Sequence, residues 1–373
     1  VYVRGQLTCT VLGKDAIAPL SVSSLDAVLL RKTDHPSLFD QRLNWSQSLN
    51  FELPQTLFLD LKQKSYEHDI KCCFELEKEL RVAYRDGHRL QVGVISRNVQ
   101  NTVTFKPALT LRCKAIVFRY PDVENQAALA PQPAEVKLIR RFTESAFPVA
   151  KVSWRSVIVD APPEFHALDT VTMSDAASRR QVERLLSKLL LQTAAIRNED
   201  VLAGQHNRTL YLAVIADPSG RYGGIAADAP DFPAPHVVAV ASADDSGQLG
   251  AHEIAHILGR RHPGVPDIER HGAALGQVAE EVPSPLHPLG FISSERHEQR
   301  IHLGLDTSAS VPQVLHYARY FDLMTYRYPK WVSQHSYEAL YQRLIALERD
   351  VGTADDPLVI EHGWTVIGQY DLV

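Results

Sequence analysis

The stretch GAHEIAHILGRRHPG, Gly250 to Gly264, decides how this chain is read. Placed on a helix, His252 and His256 stand four residues apart on one face, one turn above the other, so both imidazoles reach a single ion. Glu253 follows the first histidine and is rotated from it by roughly 100°, which sets its carboxylate beside such an ion as a general base rather than a ligand. Gly259 takes positive φ at little cost and turns the chain out of the helix, letting His262 swing back as the third ligand. Three protein ligands leave one position for water, the arrangement of a catalytic rather than a structural Zn2+ site. Three His, one Glu and one Gly at fixed positions arise by chance on the order of once in 10⁴ trials. Histidines placed on a helix merely for packing or solvation do not account for that order.

Carboxyl-terminal to this stretch, the chain has only one of its two methionines, Met324, in the sequence YFDLMTYRYPKWVS. The spacing HExxHxxGxxH followed by such a methionine resembles the metzincin metalloproteases over roughly Ala134 to Arg349. The resemblance implies a zinc-dependent endopeptidase in which Met324 forms the turn whose side chain floors the three histidines. Pro263 and Gly264 follow the third ligand as in serralysins. Tyr326 stands two residues after the methionine, where astacins and serralysins carry a tyrosine that approaches the zinc, and it is expected to support the oxyanion. The resemblance also implies a substrate lying extended and antiparallel along an edge strand ahead of the zinc helix. Tyr222, Gly223, Gly224 and Ile225 would be its binding residues through main-chain pairing, and Tyr328 to Ser333 the pocket wall. The chain departs from the serralysins in lacking glycine-aspartate calcium repeats, and no cysteine-switch segment like that of matrix metalloproteases is seen.

Toward the amino terminus, the helical period gives Val182, Leu185, Leu186, Leu189 and Leu190 on one face, with Ser178 and Gln181 as a capping box. Apolar runs at Thr209 to Ala216 and Val237 to Ala241 have strand length, so residues 136–350 are expected to form an α/β domain of metzincin type. Residues 121–135 read as a linker, because Tyr120 to Glu135 holds three prolines and no apolar period. Residues 1–120 show short alternating segments, among them Lys71 to Leu76, Leu90 to Ile95 and Leu109 to Phe118, and are expected to form an all-β, sandwich-like accessory domain. Residues 351–373 read as a strand-like extension. The fold expectation is therefore multidomain.

The 39 Lys plus Arg against 44 Asp plus Glu give a formal charge of −5, which removes the electrostatic footprint of a nucleic-acid binder. No apolar run approaches the ~18 residues of a membrane span. Cys9, Cys72, Cys73 and Cys113 all lie in the first third, and Cys72 and Cys73 point to opposite faces of a strand. Two disulfides and four buried thiols are both consistent with that spacing. Val1 in place of a methionine is read as a mature or trimmed start, with a secreted or cell-surface setting expected although no signal peptide is seen. The expected partner is a protein or glycoprotein substrate. The rival expectation is an adhesin or glycan-binding protein whose β-rich domain carries the function. Five histidines, His271, His287, His297, His302 and His316, are expected to be exposed loop residues rather than a second metal site. Arg260 and Arg261 are expected to solvate the turn, and Trp331 to seal the core.

Overall fold

The computed structural model describes residues 2–3, 6–11, 20–23, 25, 28–29, 43–47, 70–86, 89–105, 109–121, 128–166, 176–217, 223–227, 238–244, 246–260, 262, 290–293, 302–325, 327–349 and 366–367. In chain order the strands of the first part are β1 (Tyr2–Val3), β2 (Gln6–Val11), β3 (Leu20–Ser23), β4 (Val28–Leu29), β5 (Ile70–Asp86) and β6 (Arg89–Phe105). They belong to one compact unit, Val1–Ala108 with Val311–Val314. Within it β5 and β6 form a long antiparallel hairpin around Asp86, and the sheet order is β3-β2-β5-β6, with β1 paired to β4. The strands described in this unit pair antiparallel, and a 3-10 turn at Trp45–Gln47 accompanies them.

The second unit, Leu109–Ser310 with Leu315–Val373, contains the helix that carries His252, Glu253 and His256. Its elements begin with β7 (Leu109–Pro121), β8 (Ala128–Leu129), α1 (Pro133–Ala146), β9 (Val149–Asp160), α2 (Ala176–Leu202), β10 (Leu210–Ile215), β11 (Gly224–Ala227) and β12 (Val238–Ser242). After these come α3 (Gln248–Ile257), the short β13 (Gly304–Asp306), β14 (Gln313–Leu315, whose first two residues belong to the first unit), β15 (Phe321–Asp322) and β16 (Lys330–Trp331), then α4 (Gln334–Arg349) and β17 (Val366–Ile367). Strands β9, β7, β10 and β12 run parallel, and β11 follows antiparallel to β12. β17 pairs antiparallel with the far end of β11, at Ala226 and Ala227.

This sheet is mixed and buried on both faces. Alternation along β10 sends Leu210, Leu212 and Val214 to one side and Tyr211, Ala213 and Ile215 to the other, and all six are fully buried. On the first face lie Val136 and Ile139 of α1, Ile254 and Ile257 of α3, and Leu340 and Leu344 of α4. On the second, Val182, Leu185, Leu186, Leu189 and Leu190 of α2 cover the sheet as their period predicts. Trp331 lies in the first core, edge-to-face on Phe142 at 5.5 Å.

Several boundaries differ from the sequence expectation. Leu109 to Phe118, expected in the amino-terminal domain, is β7, a strand of the second unit's sheet between β10 and β9. Apolar alternation identifies a strand but not the sheet that receives it. Part of the expected linker is structured too: β8 pairs with Tyr120 and Pro121, and α1 starts at Pro133. Proline suits a first helical turn, and the Glu135 carboxylate accepts from the Gln132 N–H at 2.6 Å. Ser178 does not cap α2, which already runs from Ala176. Cys113 is a free thiol, wholly buried, and burial raises its pKa and keeps it protonated. Two disulfides from four cysteines are thereby ruled out; the side chains of Cys9, Cys72 and Cys73 lie outside the described residues. Among the described residues no helix is long and apolar enough to cross a membrane.

Candidate metal centre

Helix α3 is set into the fold by glycines. Gly247, at its amino-terminal end, has φ 73°, and a Cβ there would lie 2.3 Å from the Leu138 main-chain carbon. A Cβ at Gly250 would fall 2.6 Å from the Ile139 side chain. Only glycine lets α3 press this closely on α1. The Asp244 carboxylate accepts from the N–H groups of Gly247 at 2.5 Å and Leu249 at 3.2 Å, satisfying donors that the first turn leaves open. At the other end Gly259 adopts φ 82°, and the chain doubles back through Arg260 to His262.

The three histidines meet at their Nε2 atoms. His252 and His256 are 3.0 Å apart there, His252 and His262 3.1 Å, and His256 and His262 3.2 Å. All three are buried. The Nδ1 of His252 lies 2.7 Å from the carbonyl oxygen of Leu323, and the Nδ1 of His256 lies 2.7 Å from that of Arg260. A carbonyl only accepts, so each Nδ1 carries the hydrogen and each Nε2 is left with its lone pair. Two lone pairs facing each other at 3.0 Å repel unless a cation lies between them.

A proton does not serve that role well. Burial, with the neighbouring His256 and the Lys330 ammonium, holds His252 well below the usual imidazole range, and burial with the same two neighbours does so for His262. Neutral imidazoles converging through Nε2, with Nδ1 anchored to main-chain carbonyls, are the donor set of a metal ion. Nitrogens held ~2.0–2.1 Å from one tetrahedral ion lie about 3.4 Å apart, close to the observed spacing. The three histidines therefore suit a metal ion after shifts of a few tenths of an ångström.

Glu253 is 2% exposed and packs against β11. A Cβ on Gly224 would fall 2.3 Å from its Oε1 and 2.4 Å from its Cδ and Cγ, so the bare backbone of Gly224 is what makes room for this side chain. Gly223, whose carbonyl accepts from the Ser242 N–H at 3.0 Å, lies beside it at the start of β11. Ile225 follows on the same strand, but its side chain is 2% exposed and belongs to the second core. No protein-family model and no curated protein matches this chain. The reading of the site thus rests on its own geometry.

Met324 is 1% exposed in the first core, and the preceding carbonyl, that of Leu323, is the one that holds His252. The turn is fixed by Asp322, whose Oδ1 accepts from the Met324 N–H at 2.8 Å and whose Oδ2 accepts from the Ser333 N–H at 3.1 Å. Sequence reasoning missed Asp322 and the two carbonyls. An acid two residues before the methionine was the one available signal; main-chain acceptors leave none. Tyr222 and Tyr326 lie outside the described residues, as do Arg261, His271, His287 and His297. Arg260 does not solvate the turn: it is 7% exposed, and its carbonyl orients His256. His302 and His316 are not drawn into a second metal cluster among the described residues.

Proposed function

We propose that this chain is a zinc-dependent endopeptidase of metzincin type, hydrolysing peptide bonds of protein or glycoprotein substrates. The observation that carries the proposal is the triangle of Nε2 atoms, 3.0 to 3.2 Å on a side, with a buried carboxylate on the residue after the first ligand. Zinc held there would supply Lewis acidity, lowering the pKa of a water towards ~7 and polarising a carbonyl. His252, His256 and His262 are the ligands, and the Leu323 and Arg260 carbonyls keep two of them in the required tautomer.

Glu253 is the general base. It takes the proton from the attacking water and returns it to the departing amine. Its burial against Gly224 restrains the carboxylate, so it does not have to be ordered at each turnover. Gly223, Gly224 and Ile225 serve the substrate through their main chain, which suits a buried Ile225 side chain, and Tyr222 belongs to the same segment. The resemblance implies an antiparallel edge strand ahead of the metal-site helix; β11 runs antiparallel to β12 beside Glu253, and β17 pairs with it at Ala226 and Ala227, beyond the Gly223 to Ile225 stretch. Tyr326 donates to the developing oxyanion.

Metal analysis of the purified chain tests the ligand set. About one zinc per chain is expected, with His256→Ala losing it because two neutral ligands hold the ion poorly. Full zinc occupancy in that variant contradicts the assignment.

A further inference from the structure

Strand β9 pairs with β7 along one edge, and among the described residues no strand pairs with its other edge. Arg155, Ser156, Val157 and Ile158 are all exposed, Ile158 at 63%. A strand held between two neighbours with one face covered exposes every second residue, so four in succession mark a stretch open at its edge as well.

Two hydrogen bonds fix which main-chain groups face outward. The Ala161 N–H donates to the Arg119 carbonyl of β7 at 2.8 Å, so odd-numbered residues turn inward. The Val152 N–H instead donates to Glu144 Oε1 of α1, at 3.1 Å. Alternation then directs the N–H and C=O groups of Trp154, Ser156 and Ile158 to the outer edge. Glu144 covers the beginning of that edge, and Pro162 and Pro163 follow its end. Between them lies neither proline nor bulge, the usual guards of a sheet edge.

The side chains divide by chemistry. Val152 is buried in the first core and Trp154 packs against it, so the exposed Ile158 belongs to that apolar face. Lys151 and Arg155, both exposed, lie on the other face. Arg155 Nη1 reaches the neutral Oε1 of Gln205 at 3.4 Å, and the Asp200 carboxylate nearby accepts from Lys114 and, at 2.7 Å, from the Tyr211 hydroxyl. A second copy paired on this edge would set two rows of Lys151 and Arg155 along one face, which like charges disfavour. A strand of opposite sign is attracted.

We propose that the outer edge of β9 at Trp154–Ile158 is a docking site for an extended segment of a partner protein, with acidic residues alternating with apolar ones, added as a further strand. Main-chain hydrogen bonds hold the segment, its acids lie beside Lys151 and Arg155, and its apolar residues lie beside Trp154 and Ile158. The proposal is independent of the endopeptidase reading. Strands β7, β10 and β12 stand between β9 and β11, which at about 4.8 Å per spacing puts the docking edge ~19 Å from the strand beside Glu253.

The test measures fluorescence anisotropy of a labelled seven-residue peptide of alternating Val and Glu, blocked at both ends, on full-length Glu253→Gln. A Kd of about 10–100 μM is expected, at least about tenfold tighter than for the same peptide with Lys in place of Glu. Two further copies carry N-methyl groups on the Val residues or on the Glu residues. Only one set of N–H groups faces β9, so one copy should lose at least about tenfold and the other less than about threefold. Arg155→Glu should reverse the preference towards the Lys peptide, and Ser156→Pro, which removes an outward N–H, should weaken binding by at least about tenfold. The N-methylated pair decides the matter even if Ser156→Pro fails to fold. No saturable binding up to about 1 mM overturns the proposal, and so does a Glu preference unchanged in Arg155→Glu. Equal binding of both N-methylated copies, with displacement by heparin, would make the face a plain anion patch and overturn strand addition.

Discussion

Gly224→Ala adds one methyl group where β11 meets Glu253. The new Cβ would stand 2.3 Å from Oε1 and 2.4 Å from Cδ and Cγ of the glutamate, whereas comfortable contact begins at about 3.5 Å, so one partner must move by about 1 Å. Turning the carboxylate alone does not relieve the overlap, because Cγ is part of it. The strand has little freedom to give way, being paired to β12 from Gly224↔Ala241 to Ala226↔Ala239, and Glu253 is buried. A displacement of about 1 Å in a catalytic group costs roughly 10² in rate, and overpacking by one methyl costs about 1–3 kcal/mol. The three atoms nearest the new Cβ all belong to Glu253, so zinc should stay. Peptide hydrolysis, zinc content and a thermal melt on the same preparation check this together. Expected are a kcat lower by about 10²-fold, about one zinc per chain and a Tm lower by several degrees. Wild-type kcat with an unshifted Tm would refute the packing of Glu253 on Gly224.

Asp322→Ala leaves the buried N–H groups of Met324 and Ser333 without their acceptor and is expected to cost about 2–5 kcal/mol in chemical denaturation, with weaker zinc retention because Leu323 is no longer held. In the metal-free chain the depressed pKa values of His252 and His262 mean that below ~6.5 the unfolded state binds protons the folded state refuses. Stability should therefore be level above pH 7 and fall with decreasing pH by up to about 1.4 kcal/mol per unit for each histidine; a Tm that rises from pH 7 to pH 5 would contradict this. Tyr326→Phe should keep zinc and lower kcat by roughly 10- to 10³-fold, and an unchanged kcat would restrict the catalytic groups to Glu253 and the ligands.

The three-histidine stretch was legible because a helix of known period converts sequence spacing directly into direction: His252 and His256 share a face, and a glycine with positive φ returns His262 to them. The apolar face of α2 was legible for the same reason, all five of its expected residues being buried. What escaped was long-range. Nothing local distinguishes β7 from the strands before it, since membership of a sheet is decided by partners about a hundred residues away, such as Leu210 opposite Cys113. The role of Arg260 escaped because its main chain, not its side chain, orients His256. Lys330 reads as a surface residue by type, whereas the structure buries it to 1% exposure at the start of β16.

The endopeptidase claim is tested most directly by incubating a mixed peptide library with zinc-loaded wild-type chain and with Glu253→Gln, and identifying products by mass spectrometry. The substitution keeps the size of the side chain and removes the proton acceptor. The wild type should cleave internal peptide bonds, and the variant, carrying the same zinc, should cleave fewer than about one in 10² as fast. Equal cleavage by both, or no cleavage by a fully zinc-loaded wild type, would contradict the account.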